Sequence, residues 1–181
     1  MDFHNGVYTA LITPFDINNN IDYASLDNLI QIQLASGITG LVLLGTTGES
    51  PTLTYNEKIN LVKFVKNKVG DNKKIVIGIG GNNTLDTVNF GLEVAYLADY
   101  LMVTVPSYNK PTQEGIYQHY NLIASTINTK PIIIYNIPSR TGINMLPSTI
   151  NRLYETHDNI IAIKEASGSI NQALEIATLC D

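Results

Sequence analysis

The chain of 181 residues holds one cysteine, no tryptophan, and only 11 lysines and arginines against 16 acidic residues. Cys180 cannot form an internal disulfide and has no metal-ligand spacing around it, so it reads as a structural thiol. A net charge of -5 leaves no basic footprint, which excludes nucleic acid and an anionic membrane surface as expected partners and points to a small molecule. No apolar run approaches the ~18 residues of a membrane span, and MDFHNGVYTALITPF shows no basic segment leading into an apolar stretch; a cytoplasmic protein is expected. His4, His119 and His157 share no metal-binding spacing and read as residues of solvated faces, and no metal or redox cofactor is called for. The asparagine runs at 18–20 and 82–83 lie beside turns.

What is present suits a globular protein. At 44% hydrophobic and 15% charged, the chain can bury one core, and residues 1–181 read as a single domain without a linker. Six apolar β-rich runs, at 6–13, 40–45, 74–80, 100–106, 131–138 and 159–165, read as buried parallel strands. Amphipathic stretches alternate with them at 22–37, 54–70, 84–98, 112–127, 147–156 and 169–180. Thr54 three residues before Glu57 forms a capping box, and Thr84 and Pro147 suit helix starts. About six consecutive βα units follow, compatible with an open doubly wound sheet or with the first part of a (β/α)8 barrel. Length favours the open sheet. Polar loops at the end of every strand favour the barrel, which builds its site from many strand ends rather than from one switch point.

Those loops carry the candidate chemistry. In IIAIKEASG, Lys164 ends an apolar strand, where partial desolvation lowers an amine pKa and frees a neutral nucleophile; a solvent-facing lysine that begins a loop is the alternative. GTTGES, 45–50, supplies hydroxyls and glycines suited to a small carboxylate, or makes a plain turn, with Glu49 ordering its own loop. It lacks the P-loop lysine, and GIGGNN at 78–83 lacks the third glycine of a dinucleotide fingerprint, so nucleotide binding is disfavoured. YNIPSRTG places Tyr135 at a strand end and Arg140 in the following loop, a proton-relay phenol and a carboxylate fork, or a packed ring and a solvated charge. VPSYNKPTQEG sets Tyr108 in a proline-bounded loop.

GTTGESPTL, YNKPTQEG, YNIPSRTG and IKEASG, in this order on these strands, closely resemble the motifs of the 4-hydroxy-tetrahydrodipicolinate (dihydrodipicolinate) synthase family of pyruvate-dependent class I aldolases. The resemblance covers essentially the whole chain. It implies a (β/α)8 TIM barrel of which about the first six βα units are present, with units seven and eight and a helical carboxyl-terminal region absent. It also implies a lyase without cofactor, in which Lys164 forms a Schiff base with pyruvate and the resulting enamine attacks L-aspartate 4-semialdehyde, toward diaminopimelate and lysine. Tyr135 then donates and accepts protons, Thr46 and Tyr108 complete the relay, Thr47 binds the pyruvate carboxylate, and Arg140 holds the semialdehyde carboxylate. Arg140 separates this activity from the alternatives, N-acetylneuraminate lyase-like or sugar-acid aldolases and dehydratases. In the family Tyr108 comes from the neighbouring subunit of a tight dimer, two of which form a homotetramer. Ser107 stands where a second tyrosine often packs at that interface. The family's inhibitor-binding positions read Ser107, Tyr55, Lys58 and Asp86 here, so weak or absent lysine feedback is expected. A catalytically inactive truncated remnant is the remaining alternative.

Overall fold

Each of the six apolar runs becomes a strand in the computed structural model: β1 Tyr8–Ala10, β2 Gly40–Leu43, β3 Lys74–Gly78, β4 Tyr100–Thr104, β5 Ile132–Asn136 and β6 Ile160–Glu165. The helices are α1 Tyr23–Ala35, α2 Tyr55–Val69, α3 Thr84–Val94, α4 Gln113–Thr126, α5 Pro138–Thr141, α6 Pro147–Thr156 and α7 Ile170–Leu179. The structure describes Phe3 and residues 5–180; His4 lies outside the described residues. By its contacts the chain divides into two compact units, one holding residues 5–78 with Val94–Tyr100, the other holding Phe3, Ile79–Glu93 and residues 101–180.

In the first unit β1, β2 and β3 are parallel neighbours in chain order. The Asp22 carboxylate starts α1 by accepting from the Ala24 and Ser25 amides at 3.0 Å each, and the helix buries Leu26 and Ile30. The expected capping box starts α2: Thr54 N–H donates to Glu57 at 2.8 Å, and Glu57 N–H donates to the Thr54 hydroxyl at 3.3 Å. Asp99 anchors the start of β3, accepting from Lys74 Nζ and from the Ile75 amide at 2.9 Å each. At the other end of β3, only glycine fits at position 78, because a Cβ there would lie 2.4 Å from the Leu44 carbonyl oxygen.

In the second unit β4, β5 and β6 are again parallel and in chain order. All five residues of β5 are buried, as expected of a parallel strand covered on both faces. Tyr120 of α4, fully buried, donates its hydroxyl hydrogen to the Val103 carbonyl at 2.7 Å, and burial pushes that phenol's pKa well up. The predicted helix over 84–98 ends at Val94 and tightens into a 3-10 turn, Ala95–Leu97. It starts at Thr84 as expected, though the capping side chain is that of the residue before it. Asn83 Oδ1 accepts from the Leu85 and Asp86 amides at 2.9 and 3.3 Å, while the Thr84 hydroxyl pairs with His119 Nδ1 at 2.8 Å. His119 is accordingly buried rather than solvated, and burial lowers its pKa from 6.5 to about 4. Pro147 opens α6 as expected. The loop after β5 contains a helical turn, α5, closed by Gly142 at φ +76.

Candidate active site

The strand ends place the candidate residues. Tyr135 is the fourth residue of β5 and Lys164 the fifth of β6, and the two are Cα partners in the ladder. Cross-strand partners share a face, so both side chains leave the same side of the sheet. Lys164 Nζ lies 4.1 Å from the centroid of the Tyr135 ring, in cation–π contact, and that ring is buried.

The pairing depends on an irregularity. Ile132 faces Ile160 but Ile133 faces Ala162, so Ile161 is an extra residue in β6. Every β6 residue beyond it is shifted by one.

On the opposite face sits a polar cluster that the sequence reading missed. The Asn136 side chain, fully buried, donates from Nδ2 to Glu165 Oε2 at 3.0 Å, to Glu165 Oε1 at 3.3 Å and to Asn144 Oδ1 at 2.9 Å, while its Oδ1 accepts from the Met145 amide at 3.1 Å. Glu165 also accepts from the Ser167 amide at 2.6 Å and from Gln172 Nε2 at 3.0 Å. Desolvation pulls the Glu165 pKa upward, and the hydrogen bonds from Ser167, Asn136 and Gln172 outweigh it, leaving the carboxyl below its ordinary value. Asn144 and Gln172 hold each other reciprocally, at 2.7 and 3.2 Å. Asn136 lies within YNIPSRTG and Glu165 and Ser167 within IKEASG, but Asn144 and Gln172 belong to neither motif, and only the fold brings β5, β6, α7 and the loops between them together here.

Lys164 itself is exposed, matching the solvent-facing alternative and not the partly desolvated amine. The reason is its strand: β6 pairs with β5 alone among the described residues, and its burial is correspondingly thinner than that of β5. Tyr108 is 87% exposed and sits at φ 66, a left-handed conformation costly for a tyrosine; its amide donates to the Thr141 carbonyl at 3.1 Å. Ser107 is tied by its amide and hydroxyl to Asn82 Oδ1, at 2.8 and 3.0 Å. Arg140 is exposed on α5 and forms no ion pair among the described residues. Thr46 and Thr47 belong to the other unit, exposed in the 3-10 turn Thr46–Gly48 that follows β2. That turn is held by the Thr13 hydroxyl, which donates to the Gly48 carbonyl at 2.7 Å.

Parallel strands in chain order joined by alternating helices, with the lysine and tyrosine at the strand ends, are the arrangement of the βα-barrel class. Residues 3–181 match the model of the dihydrodipicolinate synthetase family, and the chain belongs to that family. It is 47% identical over 173 residues to the 4-hydroxy-tetrahydrodipicolinate synthase of Azobacteroides pseudotrichonymphae genomovar. CFP2, covering 92% of this chain and 56% of that protein. It is 45% identical over 175 residues to the synthase of Fervidobacterium nodosum, covering 96% and 59%. The solved synthase of Methylacidiphilum fumariolicum SolV superposes with a TM-score of 0.95 at 39% identity, over 99% of this chain and 59% of that one. A structure of the enzyme from Cyanidioschyzon merolae with lysine bound superposes at 0.92, with 38% identity over 96% and 59%. The fold is therefore that of six βα units of the barrel, and the chain spans about three fifths of the length of these relatives.

Proposed function

We propose that this chain carries the Schiff-base chemistry of a 4-hydroxy-tetrahydrodipicolinate synthase. The observation that carries the reading is the pairing of Lys164 with Tyr135, amine over ring at 4.1 Å on one face of the sheet. The neutral amine adds to the ketone of pyruvate and water leaves, giving an imine. Loss of a methyl proton gives the enamine, whose carbon attacks the aldehyde of L-aspartate 4-semialdehyde, and ring closure by the substrate's own amine frees Lys164. Tyr135 shuttles protons in these steps, with Thr46 and Tyr108 as its relay. Thr47 receives the pyruvate carboxylate, and the exposed Arg140 fork receives that of the semialdehyde. The left-handed, exposed Tyr108 suits a residue offered to a neighbouring subunit, and a homotetramer of tight dimers in the cytoplasm is the assembly proposed. With Ser107, Tyr55, Lys58 and Asp86 at the inhibitor positions, lysine inhibits weakly or not at all; strong inhibition at low lysine would contradict this.

The deciding experiment is intact mass of the chain after incubation with pyruvate and borohydride, followed by peptide mapping. One reduced pyruvate adduct on Lys164, absent from Lys164→Ala, is the expected result. An adduct that survives Lys164→Ala, or none on the folded wild-type chain, would sink the reading.

A further inference from the structure

We propose that Asn136 and Glu165 are positioning residues: their hydrogen bonds select the register of β6 that presents Lys164 to the ring of Tyr135. The inference rests on the roles proposed above for those two residues. Two registers compete for the end of β6. In the observed one, the extra residue Ile161 sets Lys164 against Tyr135 and Glu165 against Asn136. Continuing the Ile132↔Ile160 pairing without that extra residue would instead set Ile163 against Tyr135 and Lys164 against Asn136. A slip of one residue moves every side chain to the opposite face, so the amine would leave the face of the tyrosine.

Apolar burial discriminates poorly between these registers. Residues 160–163 read Ile-Ile-Ala-Ile, apolar in either phase, and β6 is held by a single ladder among the described residues. The polar end of the strand does discriminate. Asn136 is fully buried and its amide cannot turn, because Oδ1 is engaged by the Met145 amide and Nδ2 by Asn144 Oδ1. It thus presents a fixed N–H donor where β6 arrives. Glu165 is an acceptor and completes its set there, with Asn136, Ser167 and Gln172 as donors. In the slipped register an ammonium, which can only donate, would arrive at that donor, and the Glu165 carboxylate would lose it. Gln172, braced by Asn144, extends the same selection to α7.

The test reads the amine's position without depending on pyruvate. Reductive dimethylation with 13C-formaldehyde labels the lysines, and Lys164→Arg assigns the Lys164 methyl signal. Seated over the Tyr135 ring, that signal is displaced upfield by the ring current. Asn136→Asp, which opposes two carboxyls, should abolish the displacement in folded protein, and the exchanged pair Asn136→Asp with Glu165→Gln should restore it. Should Asn136→Asp fail to fold, Gln172→Ala, which removes one donor, should reduce the displacement. No displacement in the wild-type chain, or an unchanged one in a folded single variant, overturns the proposal. Borohydride trapping on unlabelled protein runs alongside, with Asn136→Asp forming adduct about 10²-fold more slowly and the exchanged pair recovering. A displaced methyl signal in a wild-type chain that traps no pyruvate would refute the proposed function and leave the positioning role standing.

Discussion

Lys164 shows how much a single side chain owes to its partner. Tyr135 could serve it through its ring, its hydroxyl or both, and the two can be separated. Tyr135→Phe keeps the aromatic face under the amine but removes the proton carrier; adduct formation with pyruvate should slow by about 10²-fold or more at an unchanged thermal midpoint. An undiminished rate would move the proton relay elsewhere. His119 offers a second test. Its Nε2 is buried without a hydrogen-bond partner among the described residues and its Nδ1 is engaged by Thr84, so the folded protein resists the extra proton. The unfolded chain protonates this histidine near pH 6.5 and the folded chain only near 4, so the histidine's contribution is full above 6.5 and is lost as pH falls toward 4. The loss amounts to roughly 3 kcal/mol, and urea midpoints across that window should flatten in a folded His119→Gln variant. The burial of His119 was not legible in the sequence, and the exposure of Lys164 was legible only as one of two readings that the sequence left open. Each depends on which other elements cover the residue, and the local pattern around it carries no record of that.

Secondary structure was far more legible than burial. The six strands, the α2 capping box and the Pro147 start all follow from local pattern, because apolar runs, hydroxyl caps and proline act within a few residues. Thr54→Ala should accordingly cost about 1 kcal/mol, read as a shifted urea midpoint with unchanged slope, since the hydroxyl supplies one half of the box. The turn of α5 and the extra residue in β6 were not legible: the first depends on how Ile137 and Pro138 leave the sheet, the second on a ladder with a strand remote in sequence. The two strands should also differ in dynamics. β5 is buried throughout, whereas β6 has one described neighbour and mostly half-exposed residues. In hydrogen exchange, β5 amides should open only with global unfolding and β6 amides through cheaper local openings. Equal protection would mean that β6 is covered in solution.

Behind β6 the second unit has a half-open apolar pocket of about 290 Å³, lined by residues of β5, β6, α6 and α7, among them Ile163, Ile150, Ala173 and Cys180. Ala173 is exposed at the rim of that pocket, and Ala173→Leu, which lays a larger apolar group over it, should raise the stability of the chain by about 1 kcal/mol, measured as an increased urea midpoint. A decrease would mean that the pocket is filled in solution.

Strand positions, helix starts and the identity of the strand-end residues were readable from the amino acids alone, and with them the likeness to a family of pyruvate-dependent synthases, because these features are written in neighbouring residues. Which face Lys164 occupies, and that Asn136 and Glu165 meet behind it, came from the folded chain. Both depend on a one-residue offset between strands whose partners lie about thirty positions apart, and no local pattern encodes such an offset.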